Sequence, residues 1–240
     1  MLELVFALTV HCSLLTENFH ASAWRGHFSA QNFSQTEDKK ALLSHRRTIA
    51  KAMRALPENH VKSLKHLEIK NRPHRSRGMA NHKKMILHTG KIETKDELMS
   101  VFIHEMGHIV DLGHLKGQKG YRTKFKDGKR AIFSDDASVK FYQISWLNSK
   151  NRRRGASRKD FVSGYAMSDP FEDFAESYLF YRVHGDKFRK ISKNSVPLRR
   201  KYNFLRTQVF DHQEFQIKKD DPKFTHEKLW DATLLPIDNL

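Results

Sequence analysis

Cysteine is nearly missing from this chain of 240 residues: there is one, Cys12. A single thiol forms no intrachain disulfide, and everything after residue 12 is without a thiolate ligand or a cysteine nucleophile. Long hydrophobic runs are missing too. The most apolar stretch, Leu2 to Leu15, is interrupted by Glu3, Thr9, His11 and Ser13 and is too short to span a bilayer as a helix. Internal repeats are also absent, so solenoid and propeller architectures drop out. Acidic charge is scarce: 27 Asp and Glu stand against 44 Lys and Arg, a net charge of +17. Such a surface attracts anionic partners, whether envelope polymers, membranes, nucleic acid or acidic protein segments.

The amino terminus reads as a targeting segment. Ala21-Ser22-Ala23 has the small-x-small form of a signal-peptidase site after an apolar stretch, although no Lys or Arg precedes that stretch. Residues 1–23 are therefore expected to be a signal peptide and the protein to be secreted or periplasmic. Removal would take away Cys12, and with Glu3 and Glu17 gone the net charge rises to +19. The remaining residues 24–240 suffice for one domain with a real core, expected to be monomeric.

The chemistry sits at His104-Glu105-Met106-Gly107-His108. Two histidines four residues apart on a helix project from one face and can chelate one zinc ion, with a glutamate beside them. The setting favours a helix from about 95 to 112. Thr94-Lys95-Asp96-Glu97 is a capping box, Leu98, Val101, Phe102, Ile109 and Leu112 follow at helical spacing, and Gly113 suits a left-handed cap. Burying two imidazoles and a carboxylate in that stripe without a shared partner would cost several kcal/mol, on the order of the penalty for unpaired buried polar groups.

A zinc site needs a third protein ligand, and there are three candidates. Asp111 shares the histidine face but lies a turn further on, so it suits a hydrogen bond to His108 better than the metal. His114 stands six residues after His108, the metzincin spacing, but that pattern needs a glycine where this chain has Asp111; Met167 is a weak Met-turn candidate. Glu172 lies in Asp169-Pro170-Phe171-Glu172-Asp173-Phe174-Ala175-Glu176. There Asp169 is an N-cap, Pro170 a first helical residue, and a helix is expected from 170 to 184, ended by Gly185. Glu172 and Glu176 share one face of it, though Glu172 could equally be the third residue of a capping box.

Ser163 to Glu176, taken with Phe102 to Asp111, resembles the catalytic domain of anthrax lethal factor and the related Pro-Pro endopeptidases. The resemblance implies an α+β, zincin-like metallopeptidase with a small sheet, the helix bearing the two histidines and a later helix bearing a glutamate. It implies one Zn2+ per chain, held by His104, His108 and Glu172, with Tyr165, seven residues before Glu172, assisting catalysis. Glu176 and Asp111 match further positions of the pattern around the ligands. The likeness spans about residues 55–210 in layout and is specific only in the two segments quoted.

The expected reaction is hydrolysis of a protein or peptide bond. A zinc ion on two imidazoles and one carboxylate lowers the pKa of water toward about 7. Glu105, next to a ligand but unable to ligate alongside it, is the expected general base, and Tyr165 would donate to the developing oxyanion as the resemblance implies. Leu64 to Lys70 and Ala80 to His88 are strand candidates, with an edge strand near 79–88 to which an extended substrate could pair. Lys39 to Leu56 reads as a basic amphipathic helix closed by Pro57, and Asn194 to Phe210 as a closing helix. Residues 211–240 read as an extension packed across the domain. Lys116–Lys129 and Arg152–Lys159 form a basic insertion without a match in the resemblance. The rival reading is a non-enzymatic basic protein binding nucleic acid or another anionic polymer through Arg152-Arg153-Arg154, but no specific nucleic-acid module is visible.

Overall fold

The computed structural model describes residues 28–31, 36–215 and 226–237; the expected signal peptide and Cys12 lie outside the described residues. Helices dominate, and a four-stranded sheet lies beside them. Strands β1 (Phe28–Gln31), β2 (His66–Lys70) and β4 (Lys84–His88) run parallel, and β3 (Gly78–Ala80) pairs antiparallel with β4 at the edge, giving the order β1-β2-β4-β3. The mixed helix-and-sheet content makes this an α+β protein.

Local chemistry explains the strands. In β2, Leu67 and Ile69 are buried, while Glu68 is held between Lys70 at 3.2 Å and Lys84 at 3.3 Å. The single strand expected over 80–88 is in fact a hairpin. Asn81 Oδ1 accepts from the backbone N–H groups of Lys83 and Lys84, an Asx-type turn that reverses the chain between β3 and β4. The edge strand is therefore only three residues long.

Helix α1 (Thr36–Arg54) buries Ile49 and Met53 and leaves Leu43 half exposed; Pro57 caps the short α2 (Glu58–Ser63) that follows. Helix α3 (Lys95–Ile109) starts at Thr94, whose Oγ1 accepts from Glu97 N at 3.0 Å. The other half of the expected capping box is displaced by one residue, since Glu97 Oε2 accepts from Glu93 N. From Leu98 to Ile109 every residue of α3 is buried, so this is the central helix. Beyond it the chain widens into one π turn over Val110–His114. Gly113 is not a left-handed cap: positive φ among the described glycines occurs at Gly128 and Gly155, and a Cβ at Gly113 would run into the His82 carbonyl. Close approach of backbone, rather than turn geometry, is what that glycine permits.

The basic insertion forms a hairpin of β5 (Arg122–Asp127) and β6 (Arg130–Phe133), turning at Gly128 with φ 57°, and then α4 (Ser138–Ser145). Phe125 anchors the hairpin on the ring of Tyr142 at 5.1 Å, so its charges are the wet side of a packed element. Helix α5 (Pro170–Val183) opens on Asp169, whose Oδ1 accepts from Phe171 N and Glu172 N, both at 2.9 Å. Helix α5 ends at Val183, as the expected bounds had it, but Gly185 is more than a terminator. It begins α6 (Gly185–Ser192), and its missing side chain makes room for the Phe215 carbonyl. Helix α7 (Val196–Phe204) follows, with Ser195 Oγ accepting from Leu198 N. Among the described residues no helix is long and apolar enough to cross a membrane.

Candidate metal centre

The site is made by the crossing of α3 and α5. Gly107 faces Ala175 so closely that a Cβ on Gly107 would lie 2.7 Å from Ala175 Cα; any larger residue would push the helices apart. That contact lies between His104 and His108 on one helix and between Glu172 and Glu176 on the other. Small residues at a crossing thus set the spacing of the polar groups around them.

His104 Nε2 lies 3.1 Å and His108 Nε2 3.4 Å from the same oxygen, Glu172 Oε2. The three donor atoms fall within 4.8 Å of one another, the only such group of three found among the described residues. On the far side of its ring, His104 Nδ1 lies 2.9 Å from Glu176 Oε1. Glu176 is fully buried, and its second oxygen accepts from Ser163 Oγ at 2.5 Å and from Ala232 N at 2.9 Å. Tyr165 Oη donates to Glu172 Oε1 at 3.2 Å.

Electrostatics follows this arrangement. Burial alone would raise the Glu172 carboxyl, but the charge of His108 and hydrogen bonds from both imidazoles hold it well below the usual carboxylate range. Burial would likewise lower His104 and His108, and the partnership with Glu172, joined at His104 by Glu176, raises both instead. Glu105 is 5 % exposed, its Oε2 has no hydrogen-bond partner, and burial pushes its carboxyl up. It lies against β3, where Gly78 makes room: a Cβ there would sit 2.6 Å from Glu105 Cγ. The Tyr165 hydroxyl is raised by burial and by the Glu172 charge beside it. A cavity of 640 Å³ opens in front of Tyr165, lined by His74, Arg75, Ser76 and Met79.

The structure therefore gathers His104, Glu105, His108, Tyr165, Glu172 and Glu176. Asp111 goes elsewhere: its Oδ1 accepts from Tyr142 Oη at 2.5 Å rather than reaching His108, its Oδ2 is unpartnered, and burial pushes its carboxyl up to about 8. His114 is exposed, with its ring 5.1 Å from that of His60 and its Nδ1 3.4 Å from Ser63 Oγ, outside the group of donor atoms. Met167 is a partly buried core residue. Sequence reasoning missed Gly78, Gly107, Ser163 and Ala232, and Arg77, whose charge opposes the upward push on Glu105. Gly107 and Ser163 sat inside the motifs already singled out; for the others no local signal existed.

Two imidazoles and a carboxylate converging on one point, beside a buried carboxylate, are the ligand chemistry of a mononuclear zinc hydrolase site. The chain belongs to the family described as "Putative zinc-binding metallo-peptidase", which matches residues 81–225 and so covers the site apart from residues 74–79 and the 226–237 segment. Comparison with curated proteins and with solved structures gives no match.

Proposed function

We propose that this zinc metallopeptidase is an endopeptidase of zincin type, with one zinc ion held by His104, His108 and Glu172. The observation that carries this is the approach of both Nε2 atoms to a single oxygen of Glu172. The residues fit the ion: the donor set is nitrogen and oxygen, and the Nδ1 of His104 is already engaged by Glu176, which fixes the ring with Nε2 toward the shared point. When bound, zinc supplies a Lewis acid that polarises a carbonyl and acidifies water.

The chain's own residues carry the proton and the charge. Glu105 accepts a proton from the attacking water as its oxygen adds to the scissile carbonyl carbon. It then delivers that proton to the amine nitrogen as the C–N bond breaks. The upward push on its carboxyl by burial suits a group that must both take and give a proton near neutral pH. Tyr165 stays protonated and donates to the carbonyl oxygen as negative charge develops there, leaving Glu172 Oε1 to do so. The edge strand β3 lies beside Glu105, and an extended peptide laid along it enters the cavity at Tyr165. The match to the lethal factor pattern at Tyr165, Glu172 and Glu176 supports the same roles.

Glu105→Gln tests this reading. Metal analysis should find about one zinc per chain in both proteins, and cleavage of a peptide library should disappear in the variant, because a proton acceptor is lost and no ligand is. Hydrolysis that persists in Glu105→Gln would remove the assignment.

A further inference from the structure

The tail that follows the family match runs back across the metal centre. Arg158 Nη2 holds the Leu229 carbonyl at 2.6 Å. That carbonyl also accepts from Gly164 N at 2.9 Å, and the Trp230 carbonyl accepts from Tyr165 N at 2.6 Å. Gly164 leaves space for the Trp230 indole, since a Cβ there would sit 2.9 Å from its Cζ3. Two residues on, Ala232, fully buried, donates its N–H to Glu176 Oε2. Arg77 closes the arrangement from the other end of the chain: one guanidinium nitrogen binds Glu97 at 2.7 Å, at the start of α3, and the other binds Asp231 and, at 2.8 Å, Thr233 Oγ1. Both halves of this latch, Arg77 and Asp231 to Thr233, lie outside the matched span 81–225.

We propose that residues 229–233, latched by Arg77, form a clasp that positions the metal centre, fixing Glu176 and through it His104, and seating the backbone of Tyr165. The proposal rests on the ligand assignment above. Glu176 has one oxygen on His104 and the other on Ser163 Oγ and Ala232 N–H. With both donors in place the carboxylate cannot rotate away from the imidazole, and carboxylates that orient metal-bound histidines commonly matter about 10- to 100-fold in metal affinity. Ala232 and Ser163 stand one step further out, so each is a positioning residue and a several-fold effect is expected. Arg77, just before β3, acts through Glu97 in the first turn of α3 and so holds the clasp to the helix bearing the histidines.

The backbone offers a clean test. Asp231 is extended, with φ −135° and ψ 119°, and Ala232 opens a short helical turn. Proline is suited to that first position and its predecessor to that conformation, so Ala232→Pro keeps the backbone shape while replacing the N–H by a methylene that must push Glu176 Oε2 away; Ser163→Ala removes the other donor without adding atoms. Ala232→Gly keeps the N–H and serves as the conservative control. On the full chain, zinc affinity would be measured by chelator competition, the ligand field by the visible spectrum of the cobalt(II)-substituted protein, and the fold by thermal melting without metal. Ala232→Pro should lose several-fold in zinc affinity and shift the cobalt bands, Ser163→Ala should do the same, Arg77→Ala should follow in direction, and Ala232→Gly should resemble wild type. Wild-type affinity and an unaltered cobalt spectrum in Ala232→Pro would overturn the clasp, as would equal losses in Ala232→Gly that track a lower melting temperature. Zinc retained in Glu172→Ala would instead overturn the ligand assignment, which keeps the two failures apart.

Discussion

Glu172 and Asp173 are adjacent carboxylates on the first turns of α5, and they are buried against opposite kinds of partner. Asp173 is sealed, with Lys201 Nζ at 2.7 Å and Trp146 Nε1 at 2.9 Å, and the side chains of both Asp173 and Lys201 are wholly buried. Lys201 is further satisfied by the Asp160 carbonyl at 2.8 Å and the face of Phe161 at 3.9 Å. Glu172 keeps 20 % of its side chain exposed and meets two imidazoles that can exist without a proton. Burial raises the Asp173 carboxyl even beside Lys201, whereas the imidazoles hold Glu172 far down. A wholly buried lysine–aspartate pair closes one side of the helix; on the other, imidazoles able to give up their protons leave a place where a divalent ion can substitute. The helix holds α7 with Asp173 and presents Glu172 to the two imidazoles.

Breaking the open side should have the largest effect. Glu172→Ala should lose zinc by more than about a hundredfold in affinity, since a ligand should matter more than the outer partners that orient one. Hydrolysis should go with it. The metal-free protein should lose some stability as well, because Glu172 accepts from both imidazoles and from Tyr165 Oη, but the start of α5 should hold, since Asp169 and not Glu172 caps it. Metal analysis and a melt of the metal-free protein check both halves.

Breaking the sealed side should leave zinc in place and weaken the fold instead. Asp173→Ala strands a buried ammonium, and removing one partner of such a pair typically costs about 3–5 kcal/mol. Combining Asp173→Leu with Lys201→Met should restore much of that loss, as apolar replacement of a whole buried pair often does. Urea denaturation measures both variants; a double variant weaker than Asp173→Ala would show that the pair does more than fill space.

The histidines divide in the same way. Those at the site are raised by carboxylates, while burial lowers His184 to about 3 and His60 to about 4. A histidine with a folded-state pKa below its unfolded value of 6.5 contributes stability that is complete above 6.5 and lost as pH falls toward the folded value. For His184 that loss amounts to roughly 2–3 kcal/mol between pH 7 and pH 4.5. Replacing it with leucine should make the metal-free protein less acid-sensitive by that amount, read as the difference between urea melts at the two pH values. An unchanged difference would show that His184 does not govern acid unfolding.

What could be read along the chain was local. Thr94 and Asp169 announced the starts of α3 and α5, and an interval of four residues put His104 with His108, and Glu172 with Glu176, on one helix face each; Tyr165, and Glu172 over its capping alternative, came from the family resemblance. What could not be read depends on segments far apart in sequence. The separation of the two helices is decided by Gly107 against Ala175, the room for Glu105 by Gly78, and the second oxygen of Glu176 by a tail 56 residues away. Asp111 illustrates the limit: its spacing from His108 suggested one partner, but the π turn after Ile109 directs it to Tyr142. The strand expected over 80–88 is broken for a local reason: Asn81 is a turn residue, and its side chain accepts from Lys83 N and Lys84 N.

The smallest expected effect is at His114, where the spacing after His108 would suit a ligand and the structure puts the ring elsewhere. His114 is exposed, packs edgewise on His60 and lies beside Ser63. His114→Ala should therefore cost no more than about 1 kcal/mol, the worth of one aromatic contact. Zinc content and peptide hydrolysis should stay close to wild type. The metzincin arrangement requires the reverse, with zinc lost in His114→Ala and kept in Glu172→Ala. Measured side by side, the two alanine variants ask which of two helix ends supplies the third ligand, the open face of α5 or the π turn after α3, and zinc loss confined to His114→Ala would move the centre to the second.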